Sequence, residues 1–245
     1  MKLIKRLALG LVLLLIIGIA GFVLWASNPA AAMPTASEAL VSDQTVTVSE
    51  ADWLIFEPST TPTTGLIFYP GARVAPAAYA PLAHELAKAG YLVVIVPMPL
   101  NMAIFGSNRA DAVLAAYPQI AHWALGGHSL GGAMAAKYTY DHPDTIDGLI
   151  LLAAYPTASN SLAERELASS MIYASNDGLA TLADIEAARP LMPSTTRWVE
   201  IQGGNHAQFG WYGEQSGDLP ATISHAEQQQ QTVQAALDVL QQLDQ

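Results

Sequence analysis

Along most of the chain, short runs of β-branched, aromatic and leucine residues alternate with longer stretches in which apolar residues recur at helical spacing. The short runs fall at 46–48, 53–56, 66–69, 92–96, 123–125, 149–153, 171–174 and 198–201, and predict eight strands. Helical spacing marks 79–89, 110–117, 130–140 and 182–188. A last amphipathic helix is predicted over 226–243, with Val233, Ala236, Leu237, Leu240 and Leu243 on one face and Gln and Asp elsewhere. Near-continuous apolar runs such as residues 91–96 suit parallel strands covered on both sides, so the alternation predicts a three-layer α/β domain.

Two regions break this pattern. Residues 7–25 form an uncharged apolar run preceded by Lys2, Lys5 and Arg6. At about 1.5 Å per residue, such a run makes a helix of nearly 30 Å, the thickness of a bilayer core. The basic residues on its N-terminal side favour keeping that end in the cytoplasm. Expected, then, is a single-pass anchor at 1–27 with everything after it outside the cytoplasmic membrane. The alternative is a secreted protein, because the small residues at 26–32 could also serve a cleaved signal. Residues 28–44, rich in Ala, Ser, Thr and Pro, read as a linker, which leaves 45–245 as one catalytic-sized domain.

Charge narrows the partners. All 21 acidic residues but only seven of the ten basic ones follow the anchor, a formal charge of −14 that argues against nucleic acid. The absence of cysteine excludes disulfides and thiolate metal sites, and no His/Asp/Glu cluster has metal-ligand spacing.

The chemistry concentrates at Gly127-His128-Ser129-Leu130-Gly131. A strand-forming run precedes this G-x-S-x-G and a helical one follows it, the context in which a serine is held on a sharp turn at a helix N-terminus. A serine hydroxyl needs a base, and the base needs an acid to orient it. Behind such an elbow the acid comes next in the chain and the histidine last. Of the three later histidines, His142 ends the elbow helix and His225 starts the final one. His206 remains, in the loop Gly203-Gly204-Asn205 after the last strand. Asp177, just past the strand at 171–174, is the candidate acid; Asp147 precedes its strand and Asp184 falls inside a helix. For an oxyanion, the backbone N–H of Leu130 and that of Ala72 in the loop Tyr69-Pro70-Gly71-Ala72-Arg73 are the candidates, with Arg73 as second choice.

These residues resemble the α/β-hydrolase superfamily, and within it the small single-domain group similar to dienelactone hydrolases and related esterases. The likeness is carried by residues 66–73, 79–95, the elbow, Asn176-Asp177-Gly178 and Gly204-Asn205-His206. It implies a mostly parallel eight-stranded sheet flanked by helices, a Ser129, Asp177, His206 triad, an acyl-enzyme and no cofactor. Two departures stand out. The oxyanion loop reads Tyr-Pro-Gly where many esterases have His-Gly, and serine replaces the cysteine of dienelactone hydrolases, which argues against dienelactone as substrate.

The apolar segment 97–105 and the aromatics after His206 predict the substrate walls: Met98, Phe105, Phe209 and Trp211. The leading expectation is a membrane-tethered hydrolase of small carboxylic esters. A peptidase or amidase of the same fold and a catalytically silent tethered binding domain are the alternatives.

Overall fold

The computed structural model describes residues 2–244; Met1 and Gln245, the outermost residues of the expected anchor and domain, lie outside it. The eight strands are β1 (Val46–Glu50), β2 (Leu54–Pro58), β3 (Thr64–Tyr69), β4 (Leu92–Ile95), β5 (His122–His128), β6 (Gly148–Leu152), β7 (Ala168–Ala174) and β8 (Arg197–Ile201). They form one sheet in the order β1-β2-β4-β3-β5-β6-β7-β8. β2 runs antiparallel to both β1 and β4, and every pairing from β4 through β8 is parallel.

The helices are α1 (Lys2–Ala26), α2 (Pro34–Glu38), α3 (Ala80–Lys88), α4 (Ala110–Ala116), α5 (Leu130–Asp141), α6 (Leu182–Ala188) and α7 (His225–Leu243). Strand residues alternate between the two faces. Leu66 and Phe68 of β3 join a core with Leu82 and Leu86 of α3 and Val239 and Leu240 of α7. Ile67 and Tyr69 join the opposite core, with Val113 of α4, Tyr138 of α5 and Ile185 of α6. Period-two alternation in strands buried on both sides thus produces the three layers.

Two helix starts are fixed by reciprocal capping, Ser224 with Glu227 at α7 and Thr181 with Asp184 at α6. Asp184 is therefore occupied as a cap. β5 runs three residues past the predicted strand because its pairing with β6 continues through Gly126 and Gly127 to His128; the two glycines sit where neighbouring backbone leaves no room for a Cβ.

Residues 28–44, expected as a linker, pack on the domain over much of their length. Ala30 bridges to Val74, Met33 donates its N–H to Trp211 at 2.7 Å, and Ala36 of α2 is fully buried. Small side chains and a helix-starting proline let this segment lie close to the surface. α1 runs out from the domain with the side chains of residues 9–25 exposed and is long and apolar enough to cross a membrane.

Candidate active site

Because β3, β5, β7 and β8 are parallel, the residues that follow them emerge at one edge of the sheet. That edge gathers Gly71-Ala72 after β3, Ser129 after β5, Asp177 after β7 and His206 after β8.

Ser129 sits between β5 and α5 with φ 53° and ψ −124°, a conformation costly for a residue with a Cβ. Its N–H is held by the Leu152 carbonyl at 2.9 Å. Tight packing enforces the turn: a Cβ on Gly131 would collide with the Tyr69 and Pro70 carbonyl oxygens, and one on Gly132 with the Ala154 methyl. Leu130 opens α5, where the first N–H groups have no partner within the helix.

The Asp177–His206 pair is buried, with His206 Nδ1–H donating to Asp177 Oδ2 at 2.7 Å. The other carboxylate oxygen accepts from the N–H groups of Leu179 (2.8 Å) and Ala180 (2.7 Å), so Asp177 is fixed before it orients the imidazole. A carboxylate can only accept, which leaves the ring proton on Nδ1 and a free lone pair on Nε2. His206 Nε2 is buried and has no hydrogen-bond partner among the described residues. Ser129 and His206 line the same cavity of about 280 Å³, whose remaining wall is small and apolar: Leu130, Ala133, Ala153, Ala154, Leu179 and Ala180, with Tyr155 and Thr157 at its side. Ala153 is itself strained, at φ 46°. A larger hollow of about 450 Å³, between Met33, Gln208, Asp218 and His225, lies behind the His206 loop and does not include Ser129.

At the oxyanion side the two candidates separate. The N–H of Arg73 is spent on the Asn101 carbonyl at 2.7 Å. The N–H of Ala72 has no partner among the described residues. The turn between them is held by the Gly71 N–H, which donates to Tyr79 Oη at 3.0 Å. With its oxygen accepting there, the Tyr79 hydroxyl proton is free for His128 Nδ1, 2.8 Å away. His128 lies beside His206, ring centroids 4.5 Å apart and ring planes tilted by 47°. Burial, and then the nearby His206, hold its pKa well below the usual histidine value, so His128 is a neutral ring. Burial likewise pushes the Tyr79 phenol up, which keeps it a donor.

Sequence reasoning missed this Tyr79–His128 pair, although His128 stands inside the serine motif. It also missed two groups that hold the acid and base loops. Asp218 accepts from the N–H groups of Gly178 (3.0 Å), His206 (3.3 Å) and Ala207 (2.8 Å), so one carboxylate ties the two loops together. Gln228 of α7, fully buried, grips the Asn205 peptide at both its N–H (2.9 Å) and its carbonyl (2.8 Å). No spacing in the sequence announces either residue.

The rival histidines and acids lie elsewhere. His142 stacks on Tyr138 at the far end of α5, and His225 stacks on Trp211. Asp147 accepts from the Trp123 N–H at the opposite edge of the sheet.

None of the four residues expected to wall the substrate lines the Ser129 cavity. Met98 is packed in the core against α4 and α5, and Phe209 lies beneath His128. Trp211 sits against α7, donating its indole N–H to Gln229 at 3.3 Å, and Phe105 points outward, edge-on to Phe22 of α1. For the two residues that follow His206 the reason is geometric: a 3₁₀ turn at Ala207–Phe209 buries Phe209 and carries Trp211 onto α7 instead of presenting them to the serine.

A family model described as the alpha/beta hydrolase family matches residues 65–231. No curated protein matches the chain. Among solved structures, one similar to it is a CIB-like hydrolase, so designated by prediction, from Thermoplasma acidophilum: 16% identity, TM-score 0.62, covering 81% of this chain and all of that one. Another comes from work on LipS and LipT, two metagenome-derived lipolytic enzymes: 13% identity, TM-score 0.52, covering 60% of this chain and 86% of that one. At such identities the likeness speaks to the fold alone.

Proposed function

Since the chain belongs to the α/β-hydrolase family and is a hydrolase by that membership, we propose that it cleaves carboxylic esters, with Ser129 as nucleophile, His206 as base and Asp177 as the orienting acid. One observation carries the reading: a buried Asp177–His206 hydrogen bond of 2.7 Å leaves a partnerless Nε2 in the cavity that Ser129 also lines.

In this reading Ser129 Oγ attacks the ester carbonyl as His206 Nε2 takes its proton. The negative charge that develops on the carbonyl oxygen is met by the N–H groups of Leu130 and Ala72. Collapse of the tetrahedral species breaks the bond to the alcohol, which leaves with the proton from Nε2. Water, deprotonated by the same nitrogen, then opens the acyl-enzyme and releases the acid. Asp177 stabilises the transient imidazolium. No step calls on a cofactor. The small apolar wall of alanines and leucines supports a short acyl group on the substrate.

A fluorophosphonate probe tests the chemistry. Wild type is expected to label and to turn over short p-nitrophenyl esters, and Ser129→Ala to do neither. Labelling or turnover retained by that variant moves the nucleophile elsewhere, and an unlabelled, inactive wild type favours a silent binding domain.

The same proposal includes a retained anchor, with residues 28–245 on the extracytoplasmic side. Its support is that the end of α1 is part of the domain: Ala26 is fully buried, and its carbonyl accepts from Asn101 Nδ2 at 2.9 Å. Sodium carbonate washing should leave the protein in the membrane fraction; full release points to a cleaved signal.

A further inference from the structure

The last turn of α1 ends in an unusual clasp. Four carbonyls at a helix C-terminus lack intrahelical partners. Here Arg73, from the loop after β3, serves one of them, Nε donating to the Trp25 carbonyl at 3.0 Å; its Nη2 reaches just past the helix to the Asn28 carbonyl at 2.8 Å, and its guanidinium lies 4.2 Å over the Trp25 ring. Asn101 supplies another from the loop after β4. Leu100 and Asn101 both take left-handed backbone (φ 53°), strain spent on presenting that amide to Ala26. The helix is thereby fixed to the edge of the sheet that carries Ser129, through two loops that belong to that edge.

The position of the loop after β4 follows from this docking. Phe105 packs edge-on against Phe22, ring centroids 6.3 Å apart. Phe22 lies three residues inside the apolar run from its Trp25 end, about 4.5 Å along the axis at 1.5 Å per residue. A ring touching Phe22 therefore stands at the level of the apolar span and not beyond it. Ile104 and Phe105 are 57% and 52% exposed, adjacent large apolar side chains that remain more than half open. Two of the seven basic residues of an otherwise strongly acidic domain, Arg73 and Arg109, flank the same loop, where lipid phosphates would favour them. Asp111, the acidic residue nearest Arg109 in sequence, is engaged by the Tyr138 hydroxyl. The turn bearing Ile104 and Phe105 packs on α5, whose first turn lines the Ser129 cavity.

We infer that the tip of the loop after β4, Ile104 and Phe105, is seated in the outer interfacial layer of the bilayer that α1 crosses, so that the Ser129 edge of the sheet is held toward the membrane surface. This rests on the membrane reading of α1 and not on the identity of the nucleophile. The substrates that such an orientation favours are amphiphilic esters presented at that surface.

The cysteine-free chain allows a direct test. Full-length Leu13→Cys, Ile104→Cys, Phe105→Cys and Asp144→Cys are each nitroxide-labelled and reconstituted in phosphatidylcholine–phosphatidylglycerol vesicles. Power-saturation spectroscopy then compares collisions with oxygen, which partitions into lipid, and with a water-soluble nickel chelate. Oxygen should dominate at 13, 104 and 105, and the chelate at 144, which is exposed beyond the opposite edge of the sheet. Chelate access at 104 and 105 equal to that at 144, with 13 protected, overturns the inference while leaving the anchor intact. Chelate access at 13 as well overturns the anchor and the inference together. Both loop positions are solvent-exposed, so labelling either leaves the core untouched, and the readout needs no turnover.

Discussion

Tyr79→Phe removes one oxygen and almost no volume, which makes it the sharpest probe of the oxyanion side. In the folded protein that oxygen accepts from the Gly71 N–H and its proton serves His128 Nδ1, both inside a fully buried site. The substitution strands one buried donor and one buried acceptor. Each orphaned group costs about 1–3 kcal/mol, so a loss of roughly 2–6 kcal/mol is expected, a large part of the 5–15 kcal/mol that holds a typical domain together. The catalytic effect follows from the same bonds. Gly71 lies one peptide before Ala72, and losing a whole oxyanion donor costs on the order of 10²–10³ in kcat. A loosened donor should cost part of that, about 10- to 100-fold in kcat, with KM within about threefold, because the acyl cavity is lined by other residues. Urea unfolding and steady-state ester hydrolysis measure the two effects. A stability loss under about 1 kcal/mol together with an unchanged kcat would refute the argument that this hydroxyl holds the loop.

Further outcomes follow from the same geometry. Asp177→Asn can keep its acceptor oxygen toward the Leu179 and Ala180 N–H groups only by turning an amide N–H toward His206, which forces the ring proton onto Nε2; kcat should fall by on the order of 10³–10⁴ with the fold intact by circular dichroism, and a loss below tenfold counts against the assigned tautomer. Gly131→Ala drives a methyl into the Tyr69 and Pro70 carbonyls and should cost about 1–3 kcal/mol in thermal unfolding while slowing fluorophosphonate labelling; wild-type values for both would show that the elbow can relax. His128 has its folded pKa depressed, so the unfolded chain binds the extra proton once pH drops below about 6.5: stability is full above that value and is lost toward the lower folded value, at up to about 1.4 kcal/mol per pH unit. Urea midpoints for wild type should therefore fall more steeply between pH 7 and pH 5 than those for His128→Asn, and parallel profiles would contradict a buried neutral ring.

What the sequence disclosed depended on periodicity and chain order. All eight strands lie where β-rich runs predicted them, because strands such as β4, with Leu92 and Val94 on one face and Val93 and Ile95 on the other, must be apolar throughout. Parallel order then brings Ser129, Asp177 and His206 to one edge, so their nearness was legible from topology. The walls of the cavity were not. Alanines at 133, 153, 154 and 180 matter because they are small and because of where β6 and β7 end, neither of which marks them in a sequence rich in alanine. Phe209 and Trp211 looked suitable by proximity to His206, yet an inward turn decides which way a side chain faces. The segment at 28–44 misled for the reverse reason: composition reads as a linker, whereas small residues also suit close packing.

The two least legible parts of the molecule prove to be one structure. Arg73 gives its N–H to Asn101, its carbonyl to Ala30 (2.6 Å) and its guanidinium to the end of α1. Through the first of these bonds the residue loses its claim as an oxyanion donor, which leaves Ala72. Through the other two, the turn that holds Ala72 is braced by the end of α1 and the segment that follows it. Tyr79 and His128 brace the same turn from inside the domain, at Gly71. The proposed donor thus stands between an inner clamp of two buried rings and an outer clamp built on the end of α1. If α1 crosses the membrane as proposed, the same contacts that brace Ala72 would also set which way the candidate active site faces.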